Sequence, residues 1–376
     1  MADGVSSDDP VVGWLRSGAV DDLLREVERC CGQRNWSRIL WIRDRCRSAG
    51  EHGHQLWPVA SWAEYRLALE GPAEVAATVL DGGFLALGPL SEVVAQHHDW
   101  AELEPHLDDG PIRAVVAHER VLRHDTELAG HPARNADIVG AGEESDGILL
   151  MLHPWEHAYA LAEYRADGAR FPAPTPTTEP TSALVGEVHP MAPDGDDGTE
   201  ALTSTLRHWA TQSSGQVRAC CVDGTAGDAV TTLVASGNDI LGHQNPGQGS
   251  GAVTPDTPLV TRGIEPGEAA ALLAWAAASG AAQGRRRGAA AGRFDAWWTL
   301  AVLAGIDHLW PVDVGPDAGE LRWWQWGPPF GDVGWWCRIA VEDPVDGLSW
   351  AIEAVDRRRL AADRSADTTP LGPIDA

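Results

Sequence analysis

The sequence contains no lysine, so all 28 of its basic residues are arginines. This absence excludes the lysine of P-loop nucleotide-binding proteins and the strand lysine of protein kinases. It also excludes every enzyme that forms a Schiff base through lysine, including those that use pyridoxal phosphate. Arginine, alanine, glycine and proline have GC-rich codons, whereas lysine has AT-rich ones. A bacterial genome of high GC content explains this composition most simply.

Long hydrophobic runs are also missing. The two longest uncharged apolar stretches, residues 269–278 and 297–306, fall short of the roughly 18–20 residues that cross a bilayer. Residues 1–10 are acidic and contain no apolar stretch, so no signal peptide is predicted. The six cysteines form no C-x-x-C pair. We therefore expect reduced thiols and a cytoplasmic location.

Positive charge is scarce, since 28 basic residues against 55 acidic ones give a net charge of −27. Nucleic acids and anionic membranes require a basic surface, so we expect neither as a partner. Apolar residues nevertheless make up 44% of the chain, which is enough for packed cores. At roughly 150 residues per domain, 376 residues indicate two or three domains.

Residues 10–167 are predicted to form an all-helical, repeat-like module that follows a disordered N-terminus at 1–9. Apolar residues recur there at helical spacing. Three Gly-Pro pairs, at 71–72, 88–89 and 110–111, each precede a helical apolar set. Proline suits the start of a helix because its missing N–H would have no helical partner there. The pattern predicts short helices joined by tight turns.

Polar segments divide the rest of the chain. Within the module we expect a loop near 125–147, followed by a helix over 148–165. Residues 168–200 contain six prolines and read as a Pro/Thr-rich linker. The second domain is then predicted over 201–360, with a disordered tail at 361–376.

The second domain combines helices with strands near its end. Residues 320–327 and 334–342 alternate in polarity, and turn-forming Gly and Pro residues follow each of them. Residues 348–355 fit a strand, but their apolar residues also fit a helix. The sequence thus predicts an α+β protein, with helices packed on a small, mainly antiparallel sheet.

Tryptophan is unusually frequent, with 18 in the chain and nine between positions 297 and 350. Strand alternation places Arg322, Trp324 and Trp326 on one face of the first strand, and Trp336 and Arg338 together on one face of the second. Stacking of arginine on tryptophan could simply stabilise that face. If it is partly open, it is instead a candidate site for a small molecule or a glycan.

One further motif carries possible chemistry. His153, Glu156 and His157 match H-x-x-E-H, in which two histidines hold zinc and the glutamate activates a water. However, Pro154 belongs in the first turn of a helix, which leaves His153 outside the helix that the motif needs. We therefore predict no bound metal and no cofactor, and keep a metal-dependent hydrolase as an alternative.

Two segments, SWAEYRLALEGPAEVAATVLDGG at 61–83 and GWWCRIAVEDPVDGLSWAIEAVD at 334–356, resemble an uncharacterised family of high-GC bacterial proteins of unknown function. The resemblance implies no activity and assigns no functional residue. Because no catalytic set is complete in the sequence, the leading hypothesis is a non-enzymatic cytoplasmic interaction or regulatory protein with a protein partner. A small-molecule or glycan binder remains the other alternative.

Overall fold

The computed structural model of the chain describes residues 9–51, 55–83, 86–131, 148–174, 182–192, 196–241, 258–306, 313–329 and 334–356. The tail predicted at 361–376 and the N-terminal segment up to residue 8 lie outside these ranges, as does most of the loop predicted near 125–147. In the described part of the chain, no helix is both long and apolar enough to cross a membrane.

The N-terminal part consists of helices, as the sequence predicts. The described residues form α1 (Pro10–Ser17), α2 (Val20–Gly32), α3 (Trp36–Glu51), α4 (Trp57–Glu70), α5 (Ala73–Ala77), α6 (Leu90–His97), α7 (Trp100–Leu103) and α8 (Pro111–Leu122). Two 3-10 turns, Glu104–His106 and Thr126–Leu128, follow α7 and α8. The buried apolar side chains of these helices form one continuous core.

The three Gly-Pro pairs start helices as predicted. Pro72 and Pro89 occupy the N-cap positions of α5 and α6, and Pro111 is the first residue of α8. Gly110, the N-cap of α8, has a φ of 141°, which residues with a side chain rarely adopt. Each pair therefore turns the chain sharply into a short helix.

The helix predicted over 148–165 is wrong. This segment contains no helix. Its last residues form a hairpin with the residues that follow, made of β1 (Glu163–Arg165) and β2 (Gly168–Arg170). Its backbone is held by a distant side chain, since Tyr164 N–H donates to Gln96 Oε1 and Gln96 Nε2 donates to the Tyr164 carbonyl. The chain turns at Ala166 and Asp167, and the next residue, Gly168, has a φ of 154°, which favours glycine. This turn prevails over the helical spacing of the apolar residues.

The C-terminal half contains a six-stranded antiparallel sheet with packed helices, which confirms the α+β class. The strands are β3 (Ser182–Ala183), β4 (Gln216–Asp223), β5 (Val260–Ile264), β6 (Arg322–Gly327), β7 (Trp335–Asp343) and β8 (Leu348–Asp356), in the order β3-β5-β6-β7-β8-β4. The helices are α9 (Asp197–Thr211), α10 (Ala226–Leu241), α11 (Pro266–Ala278), α12 (Ala289–Leu303) and α13 (Gly315–Ala318).

Helices cover both faces of this sheet. The Trp350 indole donates to the N-cap residue of α9, Asp196, at 2.8 Å. The next residue, Ala351, points to the opposite face and belongs to the apolar core that α10 forms with the sheet. One face therefore packs against α9 and the other against α10.

Residues 348–355, which fit either a strand or a helix in the sequence, form the strand β8. It pairs with both β4 and β7, so that Trp350 lies opposite Cys221 on one side and Val341 on the other. A central strand covered on both faces lacks polar alternation, which explains why its apolar residues also fit a helical period.

The contacts divide the chain into two compact units, each assembled from separate segments. The first unit comprises Met1–Thr178, Ile264–Ser279 and Arg285–Trp323, and the second comprises the remainder. Helices α11 and α12, predicted in the C-terminal domain, pack against each other in the first unit, where α12 also contacts α8.

Candidate functional site

The second unit contains an open groove of about 280 Å³ on the sheet face that α10 partly covers. Its floor consists of side chains from three neighbouring strands, namely Thr261, Trp324, Ala340 and Glu342. Its walls are formed by residues 183–185 and by the start of α10 at residues 225–227. Ligand pockets typically measure roughly 300–1,000 Å³, so this groove lies just below that range and has room for a molecule no larger than one substituted ring.

One wall belongs to an extended segment, residues 182–192, which we call the strap. A Cβ atom on Gly186 would collide with the carbonyl of Gly227, and one on Gly227 would collide with the carbonyl of Val185. Two glycines therefore allow the strap to lie directly on the first turn of α10. Further on, the Glu187 N–H donates to Asp228 Oδ1 at 2.7 Å, so the groove wall is fixed by hydrogen bonds along the helix.

The other wall, at the start of α10, is capped by side chains of the protein itself. Asp228 Oδ2 accepts hydrogen bonds from the Thr225 N–H and hydroxyl, and Glu342 Oε2 accepts one from the Ala226 N–H at 3.2 Å. Burial pushes the pKa of Asp228 upward, but hydrogen bonds from the N–H groups of Glu187 and Thr225 outweigh it and lower the pKa. Carboxylates thus already occupy the positive end of α10.

The structure separates the five residues of the predicted Trp/Arg site. Trp324 is half buried and lies in the groove, and Arg322 is exposed at the start of β6. Trp326 and Arg338 are only 2% and 1% exposed, and Trp336 is half buried. The Arg338 guanidinium lies 5.6 Å from the Trp326 ring centre and 5.9 Å from that of Trp336.

Of the residues on the predicted Trp/Arg face, Trp324 lines the groove, whereas Trp326 and Arg338 are buried. The central part of this face is buried around Glu353, which forms ion pairs with both Arg338 and Arg218. Arg218, Glu353 and Arg338 lie directly opposite one another on β4, β8 and β7. Glu353 Oε1 accepts from Arg338 Nε at 2.9 Å, and Glu353 Oε2 accepts from Arg218 Nη2. Helix α10 packs directly on this row, since a Cβ on Gly237 would collide with the Arg218 guanidinium.

The H-x-x-E-H residues do not form the zinc-binding arrangement. His153 and Glu156 lie in a turn and not on one helix. Glu156 accepts hydrogen bonds from Arg293 through both carboxylate oxygens, at 2.7 and 2.8 Å, and the two side chains are fully buried. His153 Nδ1 lies 3.3 Å from Asp313 Oδ2. Among the described residues, no group of three or more His, Cys, Asp or Glu side chains is placed to hold a metal ion.

Glu156 is thus the partner of a buried arginine and is not free to activate a water. Its Oε1 also accepts the His153 N–H, and its Oε2 accepts the Trp297 indole N–H and the Tyr159 hydroxyl. Burial pushes the pKa of Glu156 upward, but the charge of Arg293 and these hydrogen bonds lower it.

A family comparison covers most of this structure. The model of one family matches residues 21–362, which include all but the first residue of α2, every later element to β8 and the whole groove. The chain belongs to DUF6183, a family of unknown function. Membership in DUF6183 confirms the resemblance to an uncharacterised family and transfers no residue role. No curated protein and no solved structure matches this DUF6183 chain.

Sequence reasoning found Trp324 but not the rest of the groove. Strand alternation puts Glu342 on the same face of β7 as Trp336 and Arg338, but no local pattern connects this face with the strap or with the start of α10. The sequence feature that could have indicated the groove is the pair Gly186 and Gly227, because glycines often mark the close approach of two backbones.

Proposed function

We propose that this DUF6183 protein is a non-enzymatic cytoplasmic binding protein that takes a small molecule in the groove of its second unit. The observation that carries the proposal is the combination of a half-buried tryptophan, Trp324, with a carboxylate, Glu342, in one cavity of about 280 Å³. Ligand sites are commonly apolar clefts with a few placed polar groups. A tryptophan provides a stacking surface, and a carboxylate fixes orientation through hydrogen bonds.

The non-enzymatic part of the proposal is supported by where the perturbed acids and bases lie. The pKa values of Glu92, Glu119 and Glu156 are shifted, but these three glutamates are buried in the first unit. Beside the groove, the pKa of Asp228 is lowered by the hydrogen bonds with which it caps α10 and holds the strap. Groups with a perturbed pKa indicate a catalytic site when they line a cleft, whereas the three glutamates take part in the packing of the first unit. The cytoplasmic part is supported by the six cysteines, which are all buried free thiols.

A regulatory protein partner is the second candidate, and one observation favours it. The strap exposes three apolar side chains at regular spacing, namely Val185, Val188 and Met191, with Val185 85% exposed. Exposed apolar clusters are typical of interaction sites. Replacing Val188 with Asp should abolish such an association, measured with an isolated partner, and leave small-molecule binding unchanged.

The test of the groove is a fragment screen by ligand-observed NMR on the full chain. We expect fragments with a flat ring to bind, and Trp324→Ala to weaken their affinity about tenfold, because loss of aromatic stacking costs on the order of 1 kcal/mol beyond the lost area. Trp324→Phe retains a ring and should keep most of the affinity.

The matched control for this prediction is Trp57→Ala, which removes a half-exposed tryptophan of the first unit. It should leave every fragment affinity unchanged. Fragments that bind Trp324→Ala and the unaltered protein equally well would show that they bind elsewhere, and the groove would lose its proposed role.

A further inference from the structure

Three neighbouring strands form the floor of the groove, with Trp324 on the middle one. Thr261 lies on β5, Trp324 on β6 and Glu342 on β7, and these strands are adjacent in that order. Arg262 Nε donates to Gln325 Oε1 at 2.9 Å on the opposite face of the sheet, so Thr261 and Trp324 share the groove face. A ring stacked on Trp324 therefore has a hydroxyl on one side and a carboxylate on the other.

The charged side chains of this face already have partners within the protein. Glu342 Oε2 accepts the Ala226 N–H at 3.2 Å, and Glu342 has a further interaction besides this one. Arg322, on the same face of β6 as Trp324, also interacts with another group of the protein. A charged ligand would lose its hydration in the groove without finding a counter-charge that lacks a partner. The groove therefore favours a neutral ligand.

The polar groups of the floor differ in how they form hydrogen bonds. A carboxylate only accepts, an indole N–H only donates, and a hydroxyl does both. Within the ranges that the structure describes, neither the Thr261 hydroxyl nor the Trp324 N–H has a hydrogen-bond partner. A neutral ligand that matches all of these groups carries both donors and acceptors around its rim. Hydroxyl groups provide both without adding charge.

We infer that the groove binds a neutral monosaccharide, which stacks one face of its ring on Trp324 and forms hydrogen bonds with Thr261 and Glu342 through its hydroxyl groups. The inference rests on the proposed function and adds the chemical class of the ligand. A sugar ring presents C–H groups on its faces and hydroxyl groups around its rim, and C–H groups are attracted to the electron-rich face of an indole. One such ring matches the size of a cavity of about 280 Å³.

The test measures binding to the full chain by ligand-observed NMR titration. The neutral probes are the methyl α-glycosides of glucose, galactose and mannose, which present three arrangements of the hydroxyl groups. Each is compared with its 2-amino analogue, with its uronic acid and with cyclohexanol, a saturated ring that carries a single hydroxyl. We expect one of the neutral glycosides to bind at least fivefold more tightly than cyclohexanol and than both of its charged analogues.

The matched variant is Thr261→Val, because valine keeps the shape of threonine and removes the hydroxyl. It should weaken binding of the preferred glycoside about fivefold, the usual effect of one lost hydrogen bond between uncharged groups. The affinity for flat aromatic fragments should stay within about twofold, which also shows that the variant is folded. Thr211→Val makes the same change at an exposed position outside the groove and should alter neither affinity.

Three results overturn the inference: no glycoside binds more tightly than cyclohexanol, a charged analogue binds as tightly as the neutral sugar, or Thr261→Val leaves the affinity for the glycoside unchanged. The proposed function is judged separately, by the aromatic fragments and Trp324→Ala. If those fragments depend on Trp324 but the sugar fails any of these tests, the groove binds another class of small molecule. If no fragment depends on Trp324, the proposed function and this inference both fail.

Discussion

Replacing Glu119 with glutamine is expected to raise the free energy of unfolding at pH 7 by about 3 kcal/mol. Glu119 lies on α8, completely buried, and its Oε1 accepts the Ala290 N–H of α12 at 2.7 Å. Its other oxygen has no hydrogen-bond partner. The nearby Glu92 binds Arg286 through both of its oxygens. Two buried carboxyl groups thus lie near one ion-paired arginine, and Glu119 is the one outside that ion pair.

The pH dependence follows from the pKa of Glu119. Burial first and the charge of Glu92 second raise it from 4.5 to about 8. Between these values the folded protein keeps a proton that the unfolded chain releases, so stability falls as the pH rises. At roughly 1.4 kcal/mol per pH unit, the cost at pH 7 amounts to about 3 kcal/mol. Glutamine resembles the protonated acid in both states and does not incur this cost.

Urea unfolding of Glu119→Gln and of the unaltered protein at pH 5, 6, 7 and 8 tests the prediction. The two proteins should differ in stability by less than about 1 kcal/mol at pH 5 and should diverge progressively up to pH 8. The control Glu127→Gln changes an exposed carboxylate near the end of the same helix and should follow the unaltered protein. Stability differences that do not vary with pH would contradict the assignment of a buried proton to Glu119.

Replacing Arg293 with methionine is expected to destabilise the protein by about 3–5 kcal/mol, the usual cost of leaving a buried charge without its partner. Arg293 donates two hydrogen bonds to Glu156 and one to the Met151 carbonyl at 2.7 Å. Methionine retains most of the apolar stem but leaves the Glu156 carboxylate and this carbonyl without their donor. Denaturant unfolding measures the loss.

Two further variants make this prediction specific to the ion pair. Adding Glu156→Gln to Arg293→Met removes the isolated charge and should restore part of the lost stability, which a double-mutant cycle quantifies. Arg25→Met breaks an exposed pair with Asp22 and should cost less than about 1 kcal/mol. A small loss of stability in Arg293→Met would show that Glu156 does not depend on this ion pair. Glu156 would then be available for acid–base chemistry.

The sequence predicted those elements whose signals are local. The Gly-Pro pairs started α5, α6 and α8, and turn residues bounded β6, β7 and β8. It failed over 148–165 because the hydrogen bonds that hold Tyr164 come from Gln96, on another helix. No local pattern encodes such a contact.

The burial of Trp326 and Arg338 also depends on contacts between distant segments. In the sequence alone, Arg338 indicates that one face of its strand is exposed to solvent. The acidic side chain that pairs with it lies on the neighbouring strand and is not recognisable from the local pattern. Glu353 supplies that partner, and the arginine becomes core. The groove depends on another contact between distant segments, that of Gly186 with Gly227, which positions the strap beside Trp324.

The most direct test of the groove as a ligand site is a titration followed by the indole N–H signals of the 18 tryptophans in the ¹⁵N-labelled full chain. The signal of Trp324 is identified by its absence from the spectrum of Trp324→Phe. On addition of the strongest fragment from the screen, we expect this signal to shift and saturate, while that of Trp57 in the first unit stays in place. Saturating binding that leaves the Trp324 signal unmoved would contradict the account.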